Sequence, residues 1–179
     1  MEKISRNNIK DMVLAAVFLA LGMVLPLFTS QIKEIGDTLL PMHFAVLLCG
    51  LVCGWKYGLA VGFTLPFLRS VIFGMPPLYP NAIWMSLEIA TYGLVSGLVY
   101  SRLPGNKIRS VYISLICGMI TGRIVWGLAK AVLLGLADKP FTFGMFVAQG
   151  ITDAVPGIVI QLLVIPIIVK MLQKQGGEK

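Results

Sequence analysis

Six long apolar stretches are the feature that most limits how this chain can fold. They run from about residue 12 to 28, 39 to 53, 57 to 73, 82 to 100, 111 to 136 and 143 to 171 of a chain of 179 residues. A helix that crosses a bilayer needs about 20 apolar residues, and somewhat fewer when neighbouring helices cover part of it. The pattern therefore predicts an all-α integral membrane protein: a six-transmembrane-helix bundle that forms one domain over residues 1–179.

The composition agrees with a membrane protein and excludes several functional classes. The chain is 57% hydrophobic and 13% charged, with a mean hydropathy of +0.86, whereas soluble domains carry about 25% charged residues. The net charge of +7 comes from short basic clusters between apolar runs. Such clusters are typical of orientation signals in membrane proteins and not of a nucleic-acid-binding surface. We therefore expect membrane lipid around the chain and no nucleic-acid partner.

The distribution of basic residues predicts the orientation of the bundle. Ten of the 15 Lys and Arg residues fall on one side of the six-span arrangement, two fall on the other side, and three lie within spans. Basic residues are enriched in cytoplasmic loops. The N- and C-termini are therefore expected on the cytoplasmic side.

Polar side chains within the spans form the candidate substrate-binding set. Ionisable groups at membrane depth cost at least ~2.5–3.5 kcal/mol each on insertion scales, so they indicate function and face the bundle interior. Helical spacing places residues 81, 84 and 88 on one face of the fourth span, residues 123, 126 and 130 on one face of the fifth, and residues 149 and 153 on one face of the sixth. With the third-span arginine and the aromatic residue of the following loop, the set comprises Arg69, Tyr79, Asn81, Trp84, Glu88, Arg123, Trp126, Lys130, Gln149 and Asp153.

The depth of these residues predicts a single polar layer. Under the predicted orientation, the polar residues of the fourth and sixth spans, with Trp126 and Lys130, fall in the outer half of their spans, and Arg123 lies near the middle of the fifth. Arg69 approaches the outer end of the third span, and His43 lies near the outer start of the second. Trp84 and Trp126 could anchor the bundle in the lipid interface, but each shares a helix face with charged residues, which favours a cavity wall. The outer loop of residues 33–37 is a candidate lid over such a cavity.

The charges of this layer permit two interpretations. They could form internal ion pairs, for example Arg123 with Glu88 and Lys130 with Asp153. They could instead hold a ligand, because three cations within spans face only two anions. One positive charge is then left for an anionic ligand to neutralise.

Several kinds of catalytic site are absent from the sequence. No GxxxxGK[ST] motif occurs, so the chain is not expected to bind ATP in the Walker manner. No HExxH motif occurs and His43 is the single histidine, which argues against a metal site, and the three cysteines lie within apolar runs as small core residues. We therefore expect no enzyme activity, no metal and no cofactor.

Small residues indicate where helices approach one another closely. Ala16 and Ala20 lie four residues apart, and glycine pairs with the same spacing occur at residues 50 and 54, 58 and 62, 93 and 97, and 118 and 122. Such spacing permits close contact between helix backbones within a membrane. Pro66, Pro156 and Pro166 are expected to kink or break their spans.

Taken together, these features resemble the substrate-binding S components of energy-coupling factor (ECF) vitamin transporters. The resemblance rests on the size, on six spans with both ends cytoplasmic, on Ala16 and Ala20, and on the second-span stretch LPMHFAVLLCG at residues 40–50 with the glycine-rich turn after it. It implies a multi-pass protein of the bacterial plasma membrane. The implied partners are a transmembrane T subunit, docked on Ala16 and Ala20, and two cytoplasmic ATPase subunits.

The resemblance implies the function but not the ligand residues, which differ between members of that family. It predicts a high-affinity subunit that binds a water-soluble vitamin near the outer surface for ATP-driven uptake. The spare positive charge favours a carboxylate-bearing substrate, pantothenate first and folate next, with riboflavin and cobalamin as further candidates. The alternatives are a self-contained small solute transporter or channel, and a membrane enzyme or assembly factor.

Overall fold

The computed structural model describes residues 8–29, 41–104, 108–136, 141–152 and 154–176. Every regular element within these ranges is helical. The helices are α1 (Asn8–Thr29), α2 (Pro41–Cys53), α3 (Trp55–Phe73), α4 (Ile83–Arg102), α5 (Ile108–Gly135), α6 (Phe143–Val147) and α7 (Val155–Gly176). The all-α membrane class predicted from the apolar stretches is therefore confirmed.

Four of these helical regions are long and apolar enough to cross a bilayer, which is fewer than the six spans predicted. They cover residues 9–28, 78–102, 108–135 and 155–172, with mean hydropathies between 1.4 and 2.3. The helix α2 is shorter, with 13 residues, although it is apolar. The helix α3 has 19 residues but is less apolar, since it carries Lys56 and Arg69. The six-span arrangement and the orientation of the termini therefore remain predictions.

The 13-residue helix α2 lies at the centre of the bundle. It packs against α1, α3, α4 and α7, and most of its side chains are buried. The helix α4 packs against α2, α3 and α5, and α7 completes the group by packing against α2 and α5. A continuous apolar core of α2 side chains, including Val46, Leu47 and Cys49, connects these helices. Because α2 faces protein on nearly every side, a polar residue on it meets other side chains and not lipid.

Glycines of α2, α3 and α4 bring these three helices into backbone contact, and we call this group the glycine junction: Gly50, Gly58, Gly62, Gly93 and Gly97. A Cβ atom on Gly50 would lie 2.5 Å from the carbonyl oxygen of Gly93, and one on Gly97 would lie 2.6 Å from the carbonyl oxygen of Gly50. Real Cβ atoms do not approach so closely, so only glycine fits at this junction. These glycines therefore serve packing within the bundle.

Two further glycines end helices through backbone conformations that other residues rarely adopt. Gly54 has a φ of 96° and separates α2 from α3 without any other linking residue. Gly74 has a φ of 69° and donates its N–H to the carbonyl of Ser70, which closes the last turn of α3. Glycine reaches positive φ without steric cost. The first of these turns brings α3 back beside α2, which places the glycine junction.

The single span predicted over residues 143–171 is divided in the structure. The short helix α6 ends at Val147, the turn Ala148–Thr152 follows, and α7 begins at Val155. Pro156 occupies the first turn of α7, where its missing N–H leaves no helical hydrogen bond unmade. The break directs Gln149 toward the end of α5, as the hydrogen bond from Lys130 shows.

Candidate functional site

Glu88 of α4 is the centre of a buried polar cluster. Its side chain is 2% exposed, and its Oε1 atom lies 2.9 Å from Nη1 of Arg123 on α5 and 3.4 Å from Nε2 of His43 on α2. The ring of Tyr92, one turn further along α4, meets the His43 ring edge to face at 5.1 Å between centroids. One carboxylate oxygen therefore links three helices.

Arg123 does not use all of its hydrogen-bond donors within the protein. Its side chain is 12% exposed and forms the ion pair with Glu88 through Nη1. Its Nε and Nη2 atoms are buried without a hydrogen-bond partner in the part of the chain that the structure describes. A guanidinium offers five donors in a planar arrangement that suits carboxylate. Arg123 can therefore bind a second acceptor while it remains paired with Glu88.

Lys130 lies two turns further along α5, and aromatic rings surround its ammonium group. Its Nζ atom is 4.6 Å from the ring centre of Trp126, 5.1 Å from that of Trp84 and 5.7 Å from that of Phe141. It donates a hydrogen bond to Oε1 of Gln149. No carboxylate forms an ion pair with it among the described residues. Aromatic faces stabilise an ammonium by roughly 0.5–2 kcal/mol each, but they leave its charge unneutralised.

The structure thus brings together six members of the predicted set. Trp84 and Trp126 are buried, at 8% and 6% exposure, and both contact Lys130. That environment is a wall around a cation and not the lipid-facing position of an interfacial anchor. Arg123 also lies over the Trp126 ring at 5.9 Å, which connects the two cations through one indole. The six residues are Trp84, Glu88, Arg123, Trp126, Lys130 and Gln149.

Arg69 is buried but takes a different place. Its Nη1 atom donates to the carbonyl oxygen of Met23 on α1 at 2.6 Å, and its guanidinium lies 5.4 Å from the ring centre of Phe73. It forms no ion pair with Glu88 among the described residues. Arg69 therefore connects α3 to α1.

The remaining predicted residues lie at the edge of the cluster or outside the residues that the structure describes. Tyr79 is 59% exposed on the turn before α4, and Asn81 is half-buried in the same turn. Asp153 and the candidate lid at residues 33–37 lie outside the described residues, so the predicted pair of Lys130 with Asp153 is untested. The other predicted pair, Arg123 with Glu88, is confirmed.

The sequence analysis placed His43 near this layer but left it out of the set, and it did not identify three further aromatic residues: Tyr92, Phe141 and Phe146. Tyr92 follows Glu88 by four residues, so helical spacing places both on one face. Phe141 and Phe146 contact Trp126 from the segment after α5, at 6.2 and 6.0 Å between ring centres. Phe141 lies outside any helix, so no periodicity could indicate it.

An apolar groove adjoins these aromatic residues. It has a volume of about 350 Å³ and lies between α5 and the segment of residues 141–146. Its lining contains no charged side chain: Ile124, Gly127, Leu128, Phe141, Thr142, Phe143 and Phe146. Phe141 and Phe146 therefore line the groove and also contact Trp126 of the polar cluster. The groove itself is apolar, whereas the cluster is charged.

The predicted docking residues lie on the outer face of α1. Ala16 and Ala20 are both exposed, and the neighbouring Met12, Val13 and Val17 are between 49% and 57% exposed. The opposite face carries Ala15 and Phe18, which are buried in the core. The two alanines therefore do not pack inside the bundle in the part of the chain that the structure describes.

Comparison with known proteins identifies a family for this chain. Residues 10–169 match the family described as "ECF transporter, substrate-specific component". No curated protein and no solved structure matches the chain. Members of this family are transporter subunits and not enzymes, and they work with ECF transmembrane and ATPase subunits on a small-molecule substrate. The match covers nearly the whole chain and, with its long apolar helices, identifies a multi-pass protein of the bacterial plasma membrane that belongs to the substrate-specific components of ECF transporters.

Proposed function

We propose that this component binds a carboxylate-bearing, water-soluble vitamin or precursor, with pantothenate as the first candidate and folate as the second. The ligand reaches the end of the bundle at which α2 and α4 begin, and this end faces the outside of the cell. ATP hydrolysis by the partner subunits then drives its uptake. Six membrane spans and cytoplasmic termini belong to the same proposal.

The observation that carries the proposal is the unequal use of the two cations of α5. Glu88 offsets the charge of Arg123, while no described carboxylate pairs with Lys130. Arg123 also keeps two buried nitrogen atoms for which the described residues supply no acceptor. A ligand carboxylate supplies both the missing negative charge and the missing acceptors. Charge-assisted hydrogen bonds of this kind are the strong ones in protein sites.

Pantothenate suits the chemistry around these cations. One end of the molecule is an aliphatic carboxylate, and the rest carries an amide, two hydroxyl groups and two methyl groups. The amide of Gln149 and the half-buried Asn81 offer donors and acceptors for such groups. Trp84 and Trp126 offer apolar surface for the methyl groups. Folate shares the carboxylate chemistry but is much larger.

Ligand identification tests this proposal directly. The full chain, purified in mild detergent without its partners, is examined by mass spectrometry for a co-purified small molecule, and radiolabelled pantothenate and folate are titrated in parallel. The proposal expects a carboxylate-bearing ligand and saturable binding without the ATPase subunits. A neutral or cationic co-purified ligand, or no binding of either anion, contradicts it.

The exposed face of α1 supports a second part of the proposal, that Ala16 and Ala20 dock on the transmembrane subunit. Small side chains let a partner helix approach closely, and a bulky side chain holds it away. Both alanines are exposed in the isolated chain, between larger apolar residues that are also exposed. A helix of the partner would cover this strip.

A double substitution tests the docking face separately from ligand binding. Ala16→Trp with Ala20→Trp is expected to preserve ligand affinity and to abolish co-purification with the transmembrane subunit and ATP-driven uptake. Val71→Trp, at a 77% exposed position on α3, is the matched control for a bulky residue on another exposed apolar face. Normal transport by the double variant would place the docking surface elsewhere.

A further inference from the structure

His43 is the buried ionisable group that the proposed binding chemistry has not yet used. Its side chain is 3% exposed, and neither ring nitrogen has a hydrogen-bond partner that meets normal geometry among the described residues. Its Nε2 atom nevertheless lies 3.4 Å from the same Glu88 oxygen that pairs with Arg123. His43 on α2 and Arg123 on α5 therefore contact the same carboxylate oxygen of Glu88, which lies on α4.

We propose that His43 is a positioning residue that acts through Glu88 to set how much of the charge of Arg123 is available to an anionic ligand. With a neutral imidazole, Glu88 and Arg123 offset each other, and the group of His43, Glu88 and Arg123 carries no net charge. With a protonated imidazole, Glu88 interacts with two cations and this group carries one positive charge. The inference rests on the proposed function, because it concerns the same anionic ligand.

The surroundings of His43 leave few other groups that could take this role. The charged and titratable groups recorded against it are Glu88 and Tyr92 of α4, with Arg123 of α5 next beyond Glu88. No ionisable residue of α1, α3 or α7 pairs with it in the described ranges. Tyr92 contacts it edge to face and holds the ring in place. A proton on His43 therefore acts on Glu88 before any other charged group.

The sign of the effect follows from these charges. Acidification that protonates His43 adds positive charge beside Glu88, so the affinity for a carboxylate ligand rises. An aliphatic carboxylate stays ionised between about pH 5.5 and 8, since its ordinary pKa is about 4.3. The ligand itself therefore does not titrate in this window. A rise in affinity of at least about threefold where His43 gains its proton, within the range measured for coupled neighbouring residues, is therefore an effect on the protein and not on the ligand.

A pair of substitutions separates positioning from a structural role. His43→Gln retains a donor that can reach Glu88 but cannot gain a proton, so it should lose any increase in pantothenate affinity between pH 7.5 and pH 6.0 that the wild type shows. His43→Phe removes the donor as well and should weaken binding at both values. In an Arg123→Met background, neither change should alter affinity more than about twofold, because the residue that His43 acts on is gone.

A spectroscopic measurement decides the inference without any ligand. The chain contains a single histidine, so ¹⁵N-histidine labelling with a histidine-free purification tag reports His43 alone. The pH at which its imidazole signals change should move in opposite directions in Glu88→Gln and Arg123→Met, because one variant removes an anion and the other a cation. Arg102→Met, an exposed arginine at the far end of α4, is the control and should leave the signals unchanged.

The outcomes distinguish the inference from the proposed function. Unchanged imidazole titration in both cluster variants, an intact pH response in His43→Gln, or equal effects of His43→Phe with and without Arg123 overturns the inference. Failure of the wild type to bind pantothenate or folate overturns the proposed function, and the imidazole titration then still decides the inference.

Discussion

The interface between α2 and α4 is built in two different ways along its length. At one end Gly50 meets Gly93 and Gly97 through backbone atoms, with no room for a side chain. Two turns away along α2, His43 meets Glu88 through charged and polar side chains. The first end tolerates no added atom, and the second contains donors that no described residue satisfies.

This difference shows how a small membrane protein separates stability from recognition. In lipid, helices associate through close packing and not through the hydrophobic effect, and the glycine junction supplies that packing. A buried ion pair contributes little net stability, because desolvation offsets its attraction. The polar end is therefore expensive to keep, and a binding role explains why the interface retains it. Three changes test this division.

The largest effect is expected from the removal of Glu88. Glu88→Leu leaves Arg123 buried without a counter-charge, and a broken buried pair typically costs about 3–5 kcal/mol. Unfolding of the purified chain in detergent, followed by size-exclusion chromatography, measures the loss. Glu88→Gln keeps an acceptor for Arg123 and should cost clearly less. Equal losses in the two variants would mean that shape, and not charge, holds this end together.

The glycine junction should be the next most sensitive region. Gly93→Ala places a Cβ atom against the backbone of Gly58, and overpacking of this kind costs about 1–3 kcal/mol of unfolding free energy. Gly135→Ala is the matched control, because nothing lies within 4 Å of a Cβ atom there. Alanine favours a helix over glycine by roughly 1 kcal/mol, so the control should be neutral or stabilising. Equal stabilities of the two variants would contradict the packing role.

The smallest effect on folding, and a specific effect on binding, is expected at Gln149. Gln149→Ala removes the amide partner of Lys130 and should weaken ligand binding by about 0.5–1.5 kcal/mol. Gln149→Glu places a carboxylate beside Lys130 and competes with an anionic ligand, so it should weaken binding more than alanine does. Titration with radiolabelled pantothenate compares the two. Tighter binding by Gln149→Glu would show that Lys130 does not hold a ligand carboxylate.

Much of the fold could be predicted because lipid limits the alternatives. Apolar runs of span length must be helices, and α4 and α5 lie within three residues of their predicted bounds at either end. The interruption before α7 was harder, since residues 143–171 are mostly apolar and Pro156 alone does not indicate where a helix ends. The central position of α2 was not predictable at all, because its hydrophobicity resembles that of helices that face lipid.

The candidate site was predictable where two features coincided, depth and helical spacing. Glu88, Arg123 and Lys130 are expensive within a membrane and share faces with tryptophans, and the structure brings them together. Arg69 met the same criterion of depth, yet it bonds to a backbone carbonyl on α1. Depth indicates that a charge needs a partner, but it does not identify that partner. Only the packing of the helices does so.

The most direct test of the central claim compares ligand affinity in Arg123→Met, Lys130→Met and Lys170→Met. The first two residues lie in the cluster, whereas Lys170 is exposed near the end of α7. Loss of a charge-assisted hydrogen bond costs about 1.5–3 kcal/mol, which corresponds to roughly 10- to 150-fold weaker binding. The account predicts such a loss of pantothenate affinity in both cluster variants and none in Lys170→Met. Wild-type affinity in stable Arg123→Met and Lys130→Met proteins would contradict the binding of an anionic substrate at this site.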